Sequence, residues 1–150
     1  MVGKLCDAAF IWVIDDIRQE IAAAAADLFY YHTERSAAFY MCKAGARMRL
    51  VMDIHQSGLI LLSLQLMCGE HDDVIRWPYR LKTRLSVIHQ SGGRDVSLII
   101  DPTTDYDLSC WSKPTSEMNE ETDYYVGPHH TELAPCIHQG AVFITVNIVK

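Results

Sequence analysis

The chain has 150 residues, a formal net charge of -6, 49% hydrophobic residues and 21% charged residues. This length is typical of one domain with a single core, so we expect residues 1–150 to form one folded unit. The negative charge argues against a nucleic-acid partner, which needs a basic surface. No apolar run approaches the roughly 18 residues that cross a bilayer, so no membrane insertion is expected.

The first predicted elements are a strand and a helix. The apolar stretch from Ala8 to Ile14 ends at two aspartates without a small-residue cleavage site, which is typical of a strand and not of a signal peptide. From Asp16 to Leu28 five consecutive alanines favour a helix, with Asp16 and Gln19 spaced as a capping box. We interpret this helix as a connection that closes one end of the fold. The alternative is that its alanine face packs closely against a neighbouring subunit.

The middle of the chain predicts strands. The segments 59–67, 81–88 and 95–100 are apolar or alternate between apolar and polar residues. Gly92 and Gly93, within the polar segment 89–94, indicate a hairpin turn, because glycine tolerates positive φ. Short strands separated by such turns predict an all-β protein, an antiparallel β-sandwich.

The cysteines predict a reducing compartment. Their number is odd, their spacing shows no pairs, and no secretory signal accompanies them. We therefore expect free thiols in a cytoplasmic protein. The five are Cys6, Cys42, Cys68, Cys110 and Cys136.

No motif predicts catalysis or a cofactor. The chain lacks a nucleophile elbow, a phosphate-binding glycine loop and a His-Glu-x-x-His zinc motif. The densest group of metal-ligand residue types lies between His129 and His138, but its spacing matches no usual zinc site, so we interpret it as a polar loop. We expect no catalytic residue, no metal and no cofactor, and hence a non-enzyme.

Two motifs carry a family resemblance. Met67-x-Gly69-x-x-Asp72 leads into Trp77-Pro78-Tyr79, and Trp111-x-Lys113-Pro114 is followed by Met118-Asn119. Segments 10–16, 36–48 and 141–149 agree in order and content. Together they resemble the C-terminal domain of the tumour-necrosis-factor-receptor-associated factors (TRAFs), a branch of the MATH fold.

The resemblance implies a fold and a peptide groove. The fold is a sandwich of roughly eight strands with one short helix. The groove binds an extended segment of a receptor tail as an added strand. By position in the motifs, the resemblance implies these peptide-binding residues: Arg49, Val51, Asp53, Ser63, Leu108, Ser109, Cys110, Trp111, Thr122, Asp123 and Tyr125.

Several groove positions depart from the family pattern. Val51 stands where the family has an arginine, and Asp53 where it has a tyrosine. Asp123 adds a further negative charge, and Ser109 alone remains of a run of serines. We expect such a groove to repel acidic peptides and to favour basic or neutral ones, with stacking on Trp111 or Tyr125. The segment around Arg49 to Asp53 is expected to be the edge strand.

The leading functional hypothesis is a cytoplasmic signalling adaptor that binds receptor tails or regulators and, as the resemblance implies, forms a homotrimer. A second hypothesis is a MATH domain that selects substrates for a ubiquitin ligase or deubiquitinase. A third is an assembly domain whose groove is degenerate.

Overall fold

The computed structural model describes residues 8–26, 32–105, 108–121 and 125–149, which form nine strands and two α-helices. The strands are β1 Phe10–Ile14, β2 His32–Arg35, β3 Phe39–Tyr40, β4 Arg47–Ile54, β5 Leu59–Met67, β6 Thr83–Val87, β7 Val96–Ile100, β8 Tyr125–His129 and β9 Val142–Ile148. The helices are α1 Ile17–Ala26 and α2 His130–Leu133, with 3-10 turns at Pro102–Thr104, Ser109–Trp111 and Ala134–Cys136.

The strands form two antiparallel sheets. The first has the order β1-β9-β6-β7 and the second the order β2-β4-β5-β8, with β3 also paired to β4. Side chains alternate along each strand, so that Met48, Leu50 and Met52 of β4 are buried in the core between the sheets. The predicted antiparallel β-sandwich is confirmed, with nine described strands where roughly eight were expected.

The predicted hairpin is also confirmed. Strands β6 and β7 pair antiparallel from Val87 opposite Val96 onward. Gly92 takes a positive φ of 85° in the turn, and the Asp95 carboxylate accepts the backbone N–H of His89 at 2.8 Å. The glycine signal therefore located this turn correctly.

The predicted helix is present as α1, which packs against β2 and β4. Ile17 and Ala24 have no exposed surface and belong to the core, whereas residues 27 and 28 of the predicted helix lie outside the described residues. The capping geometry differs from the prediction. The backbone carbonyl of Asp16 accepts the N–H of Gln19 at 2.9 Å, and Asp16 has a φ of 53°. A side-chain cap is usually an extended residue, so this positive φ does not fit the predicted capping box.

Within the part of the chain that the structure describes, no helix has the length and apolar character needed to cross a bilayer.

Candidate functional site

The two aromatic motifs pack against each other at one end of the sandwich. The rings of Tyr79 and Trp111 stack with centroids 5.7 Å apart, and the Tyr79 N–H donates to the Trp111 carbonyl at 2.8 Å. The Trp111 indole N–H donates to Asp105 at 2.5 Å. Burial raises the pKa of Tyr79 to about 12, an effect that the neighbouring Thr83 hydroxyl partly offsets. The motifs therefore form part of the core and do not present a chemical site.

Structural contacts also explain why the first motif has glycine at Gly69 and aspartate at Asp72. The Asp72 carboxylate accepts the Gly69 N–H at 3.0 Å, and the Asp72 carbonyl accepts the Trp77 indole N–H at 2.8 Å. A Cβ at Gly69 would lie 2.9 Å from the Cβ of Arg47, which is too close. The spacing Gly-x-x-Asp thus builds a turn that passes tightly over β4.

Polar contacts of the second motif fix the segment after Trp111. The Asn119 side-chain amide donates to the carbonyls of Cys110 at 3.1 Å and Ser112 at 2.7 Å. Lys113 and Asp73 form an ion pair at 2.6 Å that links the two motifs. Their hydrogen bond and charge attraction lower the pKa of the Asp73 carboxyl and raise the pKa of Lys113.

The predicted residues of the two central strands share one face of the second sheet. Arg49, Val51 and Asp53 alternate with the core residues of β4, and they point to the outer face. In the antiparallel register, Val51 lies opposite Ser63 of β5. The structure therefore brings these four predicted residues together.

That face is covered and not open. Val51 and Ser63 have no exposed surface, and Asp53 is only 3% exposed. The hydroxyl of Thr33 on β2 donates a hydrogen bond to the Asp53 carboxylate. The charge of Asp53 is therefore engaged within the sheet and is not directed at an approaching ligand.

Residues Met118 to Glu121, which we term the 118–121 crossover, contact other side chains of this face. Met118 pairs with Met67 at the end of β5, and its sulfur lies 3.5 Å from an Nη of Arg49. The Asn119 carbonyl accepts the Gln65 amide at 2.9 Å. Glu121 then reaches Arg35 on β2, at 3.3 Å. The crossover thus extends from β5 over β4 towards β2.

Around the 3-10 turn Ser109–Trp111, two of the predicted peptide-binding positions are exposed and two are buried. Leu108 is 46% exposed and Ser109 is also exposed, whereas Cys110 is 7% exposed and Trp111 is fully buried. Predicted stacking of a ligand on Trp111 is therefore wrong, because both the ring and its N–H are used inside the fold. The outward-facing positions are Leu108 and Ser109.

The predicted edge strand is corrected. Strand β4 pairs with β2 on one side and with β5 on the other, so its segment Arg49 to Asp53 is central. Strands β2 and β8 end this sheet. Pro128 in β8 fits an end position, because proline cannot donate a ladder hydrogen bond. This proline was the sequence signal that could have identified the edge.

The remaining predicted residues lie near β8. Thr122 and Asp123 are outside the described residues. Tyr125 is the first residue of β8 and pairs with Leu62 of β5. Sequence reasoning did not find Arg35 or Glu121, since an ion pair between distant segments leaves no local pattern.

The histidine and cysteine group at the opposite end is used structurally. The His129 ring accepts the Thr131 N–H on Nδ1 at 3.2 Å, and its Nε2 lies 3.0 Å from the Ser57 carbonyl. Both ring nitrogens therefore have protein partners. Cys136 is 1% exposed, and burial, with the nearby charge of Asp95, raises the pKa of its thiol.

Comparison with known proteins identifies related chains. This chain is 29% identical to human TNF receptor-associated factor 2 over 127 residues, which are 79% of this chain and 24% of that protein. It is 26% identical to human TNF receptor-associated factor 5 over 126 residues, which are 78% of this chain and 21% of that protein. The chain thus spans about a quarter or less of the length of these relatives.

A solved structure of TRAF5 from Notothenia coriiceps has the same fold, with a TM-score of 0.76 and 23% identity. The match covers 99% of this chain and 78% of that chain. In addition, the family model described as TRAF/meprin, MATH domain matches residues 32–144. The chain therefore belongs to the TRAF/meprin MATH domain family.

Proposed function

We propose that residues 1–150 are a cytoplasmic adaptor module that binds a short extended peptide from a receptor tail or a regulator. In this proposal the peptide adds as a strand to the outer edge of β8. The supporting observation is that β8 ends the second sheet, beside the face that contains Val51 and Ser63. An end strand offers backbone N–H and C=O groups with which an extended peptide can pair.

We propose that the preferred peptide is basic or neutral. Glu117 and Glu120 are exposed on the approach to β8, and Glu121 is partly exposed between them and the outer face. The net charge of the chain is also negative, at -6. Like charges placed close together in an interface are unfavourable, so an acidic peptide would be repelled. The acidic crossover takes the place of Asp53 as the source of this selectivity.

The ion pair between Arg35 and Glu121 is proposed to limit the access of a peptide to Val51 and Ser63. The crossover contacts Gln65 of β5 and Arg35 of β2, and Arg35 lies opposite Val51, so a peptide that extends from β8 onto this face meets the crossover. The pair is half-exposed, with side-chain exposures of 47% and 25%, so its contribution is small and displacement is feasible.

Titration of three extended peptides of equal length, one acidic, one neutral and one basic, tests the proposal. We expect the basic or neutral peptide to bind and the acidic one not to bind. Glu121→Gln should strengthen binding of the neutral peptide by up to about fivefold, because an exposed ion pair contributes about 0–1 kcal/mol. Glu70→Gln is the matched control, since Glu70 is exposed and lies outside the crossover, and it should leave the affinity unchanged.

Binding of the acidic peptide in preference to the other two would contradict the proposed selectivity. If a broad array of extended peptides gives no binding to either the wild type or Glu121→Gln, the adaptor proposal fails, and an assembly domain becomes the better hypothesis. Self-association to a homotrimer is part of the same proposal, and its test is an oligomeric-state measurement. The proposed role is binding and not catalysis.

A further inference from the structure

Three side chains with metal-ligand atoms converge between α1 and β2. Glu20 projects from α1, and His32 and Glu34 lie two residues apart on β2, so they share one face of that strand. One ligand atom from each residue lies within 4.8 Å of the other two. In the part of the chain that the structure describes, no other group of three such residues is this close.

The geometry centres on one nitrogen. The Nε2 atom of His32 lies 2.9 Å from Oε1 of Glu34 and is also in close contact with Oε2 of Glu20. A single N–H can be directed at only one acceptor, so the Nε2–H of His32 cannot donate well to both carboxylates. Oε2 of Glu20 is inaccessible to solvent, and this His32 nitrogen is its close neighbour. A cation among the three atoms would satisfy both oxygens and the nitrogen.

Charge in the cluster favours a cation as well. Two carboxylates lie beside the one imidazole, with ligand atoms of all three residues within 4.8 Å of one another. Among the described residues, the ion pairs of Glu20 and Glu34 are those with His32, and no lysine or arginine neutralises them. Two carboxylates and a neutral imidazole carry two negative charges, which one divalent cation balances.

We propose that Glu20, His32 and Glu34 form a binding site for one first-row divalent cation, with zinc as the best match, that ties α1 to β2. Zinc sites with an open position use three protein ligands plus a water, and both histidine and glutamate are among those ligands. Side-chain exposures of 32% for His32, 26% for Glu20 and 37% for Glu34 leave room for that water. Calcium is excluded as the preferred ion, because it takes six to eight oxygen ligands and imidazole suits softer metals.

Metal–ligand distances of about 2.0–2.2 Å in a tetrahedral site place ligand atoms about 3.3–3.6 Å apart. The separation of 2.9 Å between His32 and Glu34 and the closer contact of His32 with Glu20 are both shorter than this, so the side chains have to rotate apart to admit an ion between them. The sequence alone predicted no metal here, because a glutamate on a helix and a His-x-Glu pair on a short strand match no known spacing.

The test is calorimetric titration of zinc into the chelator-treated 150-residue chain near neutral pH. We expect one zinc per chain, a melting temperature that rises with free zinc, and no comparable effect of calcium. His32→Ala and Glu34→Gln should each weaken zinc binding by at least about tenfold, the smallest loss usual even for residues that only support metal ligands. His138→Ala is the matched control, because His138 is exposed and outside the cluster, and it should bind as the wild type does.

Cobalt substitution identifies the ligands directly. Visible absorption of tetrahedral Co²⁺ without a thiolate charge-transfer band is expected, and it should disappear in Glu34→Gln. A thiolate band, which would implicate the exposed Cys42 and Cys68, would overturn the proposal. The same holds if wild type binds no zinc, or if His32→Ala and Glu34→Gln both bind it as tightly as wild type. Circular dichroism of each metal-free variant separates lost ligation from lost folding, and the isosteric Glu34→Gln change keeps the test valid if His32→Ala does not fold.

Discussion

Trp111 connects the second aromatic motif to the core. Its ring is fully buried and stacks on Tyr79, and its indole N–H donates to Asp105. A residue that fills this volume and also satisfies a polar partner cannot be shortened without leaving a cavity and an unpaired acceptor. Its position in the motif is thus explained by stability alone.

We predict that Trp111→Ala lowers the free energy of unfolding by about 3–5 kcal/mol, the usual cost of removing a buried aromatic side chain. Trp77→Ala is the control, because Trp77 is only half-buried and should cost less. Urea denaturation followed by circular dichroism measures both. Equal losses in the two variants would mean that the burial of Trp111 does not determine its contribution.

The raised pKa of Tyr79 predicts that the free energy of unfolding falls at alkaline pH. Its folded-state pKa of about 12 lies above the ordinary value of 10.0, so the folded protein retains a proton that the unfolded chain releases. This contribution is complete below pH 10 and is lost as the pH rises towards 12, by about 2–3 kcal/mol in total. Tyr79→Phe should show a shallower fall in the free energy of unfolding over this range.

Denaturation curves at pH steps between 9 and 12 provide the measurement. Tyr40→Phe is the matched control, since it removes a half-buried hydroxyl but leaves Tyr79 in place, and it should keep the wild-type slope. The interpretation fails if Tyr79→Phe and wild type have the same slope.

At the level of elements, the alanines of α1 differ in burial. Ala24 has no exposed surface, whereas the neighbouring Ala22 and Ala25 are exposed. The buried alanine permits close approach of the helix to the sandwich, and a larger side chain there has no space. The exposed alanines contribute mainly helix propensity.

We therefore predict that Ala24→Leu lowers the free energy of unfolding by about 1–3 kcal/mol through overpacking. Ala25→Leu should change it by less than about 0.5 kcal/mol, as is usual for surface positions. Thermal and urea unfolding of the two variants make the comparison. A neutral Ala24→Leu variant would indicate that the helix can move away from the core without cost.

Local patterns predicted the strands well but not their neighbours. Strand β5 matches the predicted segment Leu59–Met67, because its alternation and apolar content report burial directly. Strand β2, with the polar sequence His32 to Arg35, carries no such signal, and so β4 was assigned to the edge that β2 occupies. Which strands lie side by side depends on contacts distant in sequence, which alternation does not encode.

The candidate site likewise has features that the local sequence predicts and features that it does not. That Arg49, Val51 and Asp53 share one face of β4 follows from strand alternation, whereas the pairing of Val51 with Ser63 depends on the register between β4 and β5. Val51 and Ser63 have no exposed surface, and on the same face the ion pair between Arg35 and Glu121 joins residues 86 positions apart. Long-range pairs of this kind determine whether a predicted face is open, and they leave no trace in local sequence.

At the scale of the whole molecule, the large apolar side chains that are exposed among the described residues are dispersed. Val13 is 46% exposed on β1 and Ile99 is 43% exposed on β7, the opposite edge strands of the first sheet. Other large exposed apolar residues lie at the start of β5 or in connections between strands, namely Leu59, Val74, Leu81 and Leu108. A stable interface needs about 800 Å² from each partner with an apolar centre, and dispersed residues do not provide one.

We predict that the 150-residue chain is a monomer, or a trimer that forms only weakly and dissociates on dilution. Light scattering across a concentration series should give a mass that falls towards that of one chain at low micromolar concentration. A trimer that persists on dilution would contradict this prediction and would direct attention to the exposed alanines of α1. Ala22→Glu would then show whether the trimer packs through α1. A charge on that helix face should dissociate a trimer that packs through α1 and leave any other trimer intact.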